Sequence, residues 1–506
     1  MKTHTWDNAK IITGIILITI GVCGLTSGSH VYVTDGAAMY FMATSIVDRS
    51  WIDVDIHPNT HGGKYGPDGR YYMPFGFLQP LMAVPLLLLG RLFQNWYQTN
   101  YLPFFTVTWF NWLMCGLLNA LIYYSFLQFR VSKYIALIIG FAITFSTPFW
   151  VYSQTFFSEP LTAVLGLSAW LLMYKSYQKN SLSILILSGL LAGMITWARP
   201  LGGLVIPPLV LYLLLLELKK NKLNNNSKNS LKPFFAFVLA ACASVSVYFY
   251  YNWLRFGNIF ETGYDKLPSG LPRSFTLNAV TGFNILLFSP GKSILLFTPL
   301  LLLVPVSIII VVKKRVFIPE TVFSLLTGFL YLSVLSRWAR IEGGVAWGPR
   351  LFLPALPILL LSLIPFCRQS ERSFYILITV LAITGTVIQI PGILVNFSTY
   401  ITRHQDEYFS PRDGQYMFSF NPFPGHLAEM KQYIKVLPHL EPKPENQTFR
   451  HFEQINPDFI LDIWWLHMWM DRVPLRFIHR MLVSLSVLML AGFGLLFHGL
   501  APNIRK

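Results

Sequence analysis

Long apolar runs recur throughout this chain and limit its fold more than any other feature. Of its 506 residues, 54% are hydrophobic and only 12% are charged. A run of about 20 apolar residues is long enough to cross the hydrocarbon core of a bilayer as a helix. This pattern predicts an all-α polytopic membrane protein. The thirteen candidate runs lie near residues 11–28, 76–93, 106–128, 134–150, 160–176, 182–198, 201–218, 233–254, 291–312, 319–336, 351–366, 373–393 and 479–500.

Basic residues between the runs predict how many of them cross the bilayer. By the positive-inside rule, these basic junctions share the cytoplasmic side, which requires that the run 76–93 does not cross. That run contains Pro80, Pro85 and Arg91, which favours an interfacial or re-entrant helix in the first outer loop. We therefore expect about twelve transmembrane helices, with both termini cytoplasmic. The junctions are Arg130/Lys133, Lys175/Lys179, Lys219 to Lys232, Lys313/Lys314/Arg315, Arg368/Arg372 and Arg505/Lys506.

The same pattern divides the chain into three parts. A transmembrane region covers residues 1–393 and contains the first outer loop, 29–105. An outer loop region, 394–478, precedes a last helix and cytoplasmic tail at 479–506. The net charge of +16 does not predict a nucleic-acid partner, because the basic residues lie mostly in short loops beside membrane lipids. The four scattered cysteines indicate no disulfide framework and no metal site.

Two acids fall at predicted outer ends of helices. Asp35 follows the first span and precedes a short apolar-periodic run, and Glu159 stands in Ser158-Glu159-Pro160 at the start of a later span. A carboxylate at the edge of a bilayer is costly to keep, which favours a functional role. Both acids also suit an ordinary helix start, with Asp35 as an N-cap and Glu159 at the positive end of the helix dipole.

Cations are predicted on the same side as these acids. An excess of cations there opposes the positive-inside rule, so we expect them to have a phosphate or pyrophosphate partner. The alternative is that each side chain extends to lipid headgroups. The candidates for binding phosphate are Arg199, Arg255, Lys292, Arg350, Lys64 and Arg70.

A polar cluster in the first outer loop contains Asp53, Asp55, His57 and His61. These residue types can ligate a metal, but their spacing matches no strong metal signature. An exposed polar loop explains the cluster equally, so no metal site is predicted.

Several motifs occur in a characteristic order over most of residues 1–370. Val33-Thr34-Asp35-Gly36 is followed by KYGPDGRYYMPFGFLQPL and by Ser158-Glu159-Pro160. YYNWLRFGNIFETGY, LLFSPGKSILLFTPLLLL and WGPRLFLPALPILLL come later. In this order the chain resembles the GT-C membrane glycosyltransferases. It is most similar to the bacterial branch akin to protein O-mannosyltransferases and the lipid A aminoarabinose transferase, which are phospholipid carrier-dependent enzymes.

The resemblance implies a GT-C fold and the transfer of a hexose or pentose from a polyprenyl-phosphate-linked donor. The acceptor would be a glycan, a lipid or a protein, on the extracytoplasmic side of the cell membrane. Asp35 would act as general base, and Glu159 would orient the acceptor, Asp35 or a metal. The cations, Arg199 and Arg350 above all, would hold the leaving phosphate. Members of the family differ in their need for a divalent cation, so the cofactor stays open.

Three other functions are compatible with parts of the pattern. A transporter predicts ionisable residues at mid-bilayer and paired discontinuous helices, whereas the charges here lie at the ends of spans. A lipid-linked oligosaccharide polymerase or ligase shares the outer arginines but does not need the early acid. A non-catalytic membrane scaffold needs neither.

Overall fold

The computed structural model describes residues 2–28, 34–55, 62–223, 231–264, 275, 277–341, 343–344, 346–369, 372–403, 422–442 and 461–501. Within these ranges the chain is helical apart from one antiparallel hairpin, in which β1 (Lys64–Tyr65) pairs with β2 (Tyr71–Tyr72). This confirms the predicted all-α polytopic architecture.

The helices, given with the label used for each, follow the apolar runs. They are α1 Lys2–Thr26, α2 Thr34–Arg49, α3 Leu78–Tyr97, α4 Leu102–Gln128, α5 Lys133–Phe145, α6 Phe149–Ser153, α7 Glu159–Lys179, α8 Leu182–Ala198, α9 Ile206–Leu223, α10 Lys232–Phe256, α11 Ala279–Phe288, α12 Ile294–Phe297, α13 Val304–Lys314, α14 Ile318–Leu335, α15 Leu356–Leu360, α16 Ile364–Cys367, α17 Arg372–Leu394, α18 Phe397–Arg403, α19 Pro422–Val436, α20 Trp464–Met470 and α21 Leu475–Leu500. Short 3₁₀ turns join several of them, at Pro200–Val205, Pro299–Leu303, Arg350–Ala355, Leu361–Leu363 and Leu437–His439.

The bundle has two chemically different ends. One end, called the Asp35 end, holds Asp35, Glu159, Arg199 and Arg350, which contact one another. The other, called the basic end, lies at the far end of α7, about 30 Å away for 21 residues. Basic junctions meet there through Lys220 Nζ to Asn180 Oδ1 at 2.6 Å, Lys314 Nζ to Gln369 Oε1 at 2.8 Å, and Arg368 over the Phe317 ring at 5.3 Å.

Twelve segments of the described chain run between these two ends, in agreement with the predicted number of spans. Eight helices of the described residues are long and apolar enough to cross a membrane. The remaining segments are shorter, more polar, or divided by prolines such as Pro299, which remove helical hydrogen bonds. The twelve are α1, α4, α5–α6, α7, α8, α9 with its preceding 3₁₀ turn, α10, α12–α13, α14, residues 350–367, α17 and α21.

Helix α3, predicted as the non-crossing run, has both ends at the Asp35 end. Near its start, Gln79 Nε2 donates to Phe156 O at 3.0 Å, just before Glu159. Near its end, the Tyr97 ring lies 4.9 Å from Phe477, at the start of α21. The helix therefore lies across the bundle instead of running through it. Its apolar face packs inward while residues such as Leu88 stay exposed, as in an interfacial helix.

The first and last helices pack very closely along their lengths. A Cβ atom added to Gly14 in α1 would lie 2.7 Å from Gly492 O in α21. Real Cβ atoms do not approach this closely, so the two backbones meet where neither helix has a side chain.

The region 394–478 is described only at 394–403, 422–442 and 461–478. Its helix α20 docks on α1, because Trp464 Nε1 donates to Gly24 O at 2.7 Å and the Trp464 backbone N–H donates to Ser27 O at 2.8 Å. This part of the region therefore lies at the Asp35 end. The division of the chain at residues 393 and 478 remains a prediction.

Candidate functional site

Four helix ends place the charged side chains of the site. Helix α2 starts at Thr34, so Asp35 lies in its first turn and is not the N-cap expected as the simpler alternative. Glu159 is the first residue of α7 and is followed by Pro160, as predicted. Arg199 follows α8 in an extended conformation, and Arg350 begins the 3₁₀ turn that leads into α15.

Glu159 is the central acid of this group and is completely buried. Its Oε1 atom accepts hydrogen bonds from Arg199 Nη1 at 2.5 Å and from Arg350 Nε at 2.7 Å. Its Oε2 atom is buried and has no hydrogen-bond partner among the described residues. A buried charge is stable only when it is paired, so the two arginines hold Glu159 in its ionised form.

Arg350 joins the two acids. Its Nε atom binds Glu159, and its Nη2 atom donates to Asp35 Oδ2. The Nη1 atom donates to Gly343 O at 3.2 Å, and the guanidinium carbon lies 3.9 Å from the centre of the Phe157 ring. The side chain of Arg350 is only 3% exposed, whereas that of Asp35 is 29% exposed. Asp35 is therefore the acid that a substrate can reach.

Two acids and two arginines give the group no net charge. The structure thus brings together four of the predicted site residues, which are distant in sequence. As arranged, the group does not fit a divalent cation, because the guanidinium of Arg350 stands between the two carboxylates. Within the described residues there is also no group of three or more His, Cys, Asp and Glu side chains that could hold a metal.

Sequence analysis missed the amides that hold the chain just before Glu159. Asn111, inside α4, donates through Nδ2 to the carbonyls of Thr155 at 2.8 Å and Phe157 at 2.9 Å. Gln154 Nε2 donates to Gly392 O at 3.3 Å. An amide in the middle of an apolar run is costly in a bilayer unless it is bonded, and that signal was present in the sequence.

Arg255 is buried in a structural position beside the hairpin. Its Nη1 atom donates to Met73 O at 2.5 Å and its Nη2 atom donates to Asn252 Oδ1 at 2.8 Å. The guanidinium carbon lies 3.8 Å from the centre of the Tyr251 ring. These contacts tie α10 to the first outer loop. Among the described residues they include neither Asp35 nor Glu159.

Lys292 supports the segment that carries Arg350. It is 1% exposed, and its Nζ atom donates to Ala346 O at 2.8 Å and to Gly348 O at 3.2 Å. Both carbonyls lie within four residues of Arg350. Lys292 thus contacts the site through the backbone of this segment.

The two remaining candidate cations belong to the hairpin and are about half exposed. Lys64 Nζ lies 2.6 Å from Glu261 Oε2, and the Arg70 guanidinium lies 5.0 Å from the centre of the Trp51 ring. Their contacts with described residues do not include the four-charge group.

The polar cluster of the first outer loop is only partly described. Asp53 and Asp55 both pair with Arg49, at 3.3 Å and 2.6 Å. His57 and His61 lie outside the described residues. The two described acids therefore have a cationic partner in the protein itself.

Comparison with protein-family models and with curated proteins finds no match for this chain. Among solved structures, the chain is similar to ArnT from Cupriavidus metallidurans bound to undecaprenyl phosphate. The TM-score is 0.46 and the sequence identity 13%, and the match covers 96% of this chain and 76% of that one. A likeness of this size does not identify what the chain binds or does. The described residues show a polytopic all-α membrane protein with a buried charged site at one end of the bundle.

Proposed function

We propose that this protein is a GT-C-type membrane glycosyltransferase that moves a sugar from a polyprenyl-phosphate donor to an acceptor. One observation carries the proposal: Asp35 and Glu159, from separate motifs, meet on Arg350 at one end of a membrane bundle. The acid motifs and the WGPR motif occur in the order that the family resemblance implies. A transporter gives no reason to join these particular helix ends through one buried arginine.

Asp35 is the proposed base because it is the accessible acid of the pair. Its carboxylate takes the proton from the acceptor hydroxyl, and the acceptor oxygen forms a bond to the anomeric carbon of the sugar. The bond from that carbon to the donor phosphate oxygen breaks, and the phosphate leaves with the electron pair. Attack opposite the leaving group inverts the anomeric configuration.

Arg350 and Arg199 are the proposed electrostatic partners of the leaving phosphate, because charge grows on that group as the bond breaks. Glu159 holds both guanidiniums in place from below, through a single oxygen. Arg255, Lys292, Lys64 and Arg70 are proposed as further phosphate-binding candidates. Of these, Lys292 acts through the segment before Arg350, and the exposed Lys64 and Arg70 suit a donor that approaches over the hairpin.

The Asp35 end is proposed to face the extracytoplasmic side of the cell membrane, because the basic junctions gather at the opposite end. The sugar is a hexose or a pentose, and the acceptor is a glycan, a lipid or a protein. A lipid-linked oligosaccharide polymerase or ligase remains the second candidate and would use the same arginines.

The test is sugar transfer by the purified protein in nanodiscs, with a panel of undecaprenyl-phosphate sugars and mixed acceptors. Asp35→Asn keeps the shape and is expected to lower the rate by about 10²–10⁴, the usual contribution of a general base. The matched control is Asp48→Asn, which removes an arginine-paired acid from the far end of the same helix. Transfer by Asp35→Asn at the wild-type rate would refute the role of Asp35. Transport of a lipid-linked sugar without transfer would refute the enzyme class.

A further inference from the structure

Arg350 faces two possible anionic partners if the proposed function is right: the base, Asp35, and the phosphate of the donor. We propose that Arg350 is exchanged between them. In the free protein it holds Asp35, and a bound polyprenyl phosphate takes the guanidinium and releases the carboxylate to act as base. The inference rests on the proposed function and concerns the order of events at the same site.

The geometry fixes one edge of the guanidinium and leaves another exchangeable. The Nε atom is bound to the fully buried Glu159, and the plane is packed on the Phe157 ring. The Nη2 atom faces Asp35, the most exposed member of the group. A guanidinium has five N–H donors, so it can keep its bond to Glu159 while the Nη2 edge changes partner. Only the bond on the accessible side has to break.

The resting contact also restrains the base. A carboxylate that accepts a hydrogen bond from a guanidinium must give up that bond, at least in part, before the same oxygen can take a proton. In the free protein, Asp35 Oδ2 is engaged in this way. Activation of water or of an acceptor therefore awaits the arrival of the donor, which limits the loss of the lipid-linked sugar by hydrolysis.

The charge balance drives the exchange in the direction of the reaction. The group starts with two carboxylates and two guanidiniums, so each cation already has an anionic partner. During transfer, the proton of the acceptor moves to Asp35, which becomes neutral, while the phosphate goes from one negative charge to two. The anion that competes with the phosphate for Arg350 thus disappears as the charge on the phosphate grows.

Binding of undecaprenyl phosphate to the protein in nanodiscs tests this competition without any acceptor. Removing the competitor by Asp35→Asn should tighten binding about tenfold, the size expected for a hydrogen bond between charged groups. Arg350→Gln should weaken binding, and the double variant should bind like Arg350→Gln alone, because the two effects act through one contact. Asp48→Asn should leave the affinity unchanged, since Asp48 pairs with Arg91 and not with Arg350.

Two outcomes overturn the exchange. One is unchanged or weaker binding by Asp35→Asn. The other is tightening that persists in the Arg350→Gln background, which would show a general effect of charge. If Arg350→Gln does not fold, Arg350→Lys replaces it, and the gain from Asp35→Asn should shrink because a lysine cannot bridge both acids. Failure of the proposed function looks different: the wild type either does not bind the lipid phosphate at all, or Asp35→Asn transfers sugar at the wild-type rate.

Discussion

Replacing the buried acid, Glu159→Gln, should destabilise the protein far more than any exposed ion-pair change. Glu159 is fully buried and its Oε1 atom is the shared acceptor of two arginines, one of them only 3% exposed. Removing one partner of a buried pair costs about 3–5 kcal/mol, because the other charge stays buried. Losing the half-exposed Arg91–Asp48 pair costs about 0–1 kcal/mol.

Buried cysteines give a direct assay of this difference. Cys23, Cys115 and Cys367 are buried and Cys242 is exposed. In a Cys242→Ser background, a maleimide dye should therefore label the detergent-solubilised protein only as it unfolds. Glu159→Gln should shift the unfolding midpoint to clearly lower temperature or denaturant concentration, whereas the control Asp48→Asn should remain close to the starting protein.

A second substitution tests the cause of that loss. Adding Arg199→Gln to Glu159→Gln removes one cation together with the acid, so the double variant should lose less stability than the sum of the two single variants. The reasoning is refuted if Glu159→Gln is no less stable than Asp48→Asn, or if the losses of the two single variants simply add.

Three further predictions concern the two sides of the membrane and the supports of the site. A cysteine introduced at Asn225 should react with an impermeant reagent only from the cytoplasm and one at Leu440 only from outside; the reverse result would overturn the topology. The hydrogen bond from Arg91 holds the pKa of Asp48 below its ordinary value of 3.8, so this pair stabilises the fold above that pH and is lost as the pH falls through the lowered pKa. The stability difference between wild type and Asp48→Asn should vanish in that acidic range, and a difference that persists there would contradict the assignment. Asn111→Leu leaves carbonyls before Glu159 without their donor, so it should cost about 1–3 kcal/mol per unpaired group in the dye assay and also slow transfer; wild-type behaviour in both would exclude a positioning role.

The architecture could be predicted from the sequence because it depends on patterns that survive without coordinates. The length of each apolar run and the location of basic junctions led to twelve crossings, and the parity argument singled out the run that became α3. Prolines in the runs near residues 299 and 354 signalled helix breaks, yet the 3₁₀ turns that result depend on packing and could not be placed.

The site was predictable in part for a similar reason. Helix ends on one side of a bilayer must lie at similar depth, so Asp35, Glu159, Arg199 and Arg350 could be expected at one level. The sequence could not say which of them touch. Arg255 and Lys292 show the limit most clearly, because a cation near the end of a span looks the same whether it faces a ligand or binds a backbone carbonyl. Only side-chain geometry separates these cases.

The close packing of α1 against α21 has a consequence for biosynthesis. The smooth strip of α1 around Gly14 is formed at the start of translation, but the helix that fills it arrives much later; Lys10 and His498, which meet at one end of this pair, are 488 residues apart in sequence. Until then lipid or an insertion factor must cover the strip. The nascent bundle therefore stays open along one seam through most of its synthesis and closes in its last step, when α21 enters the membrane.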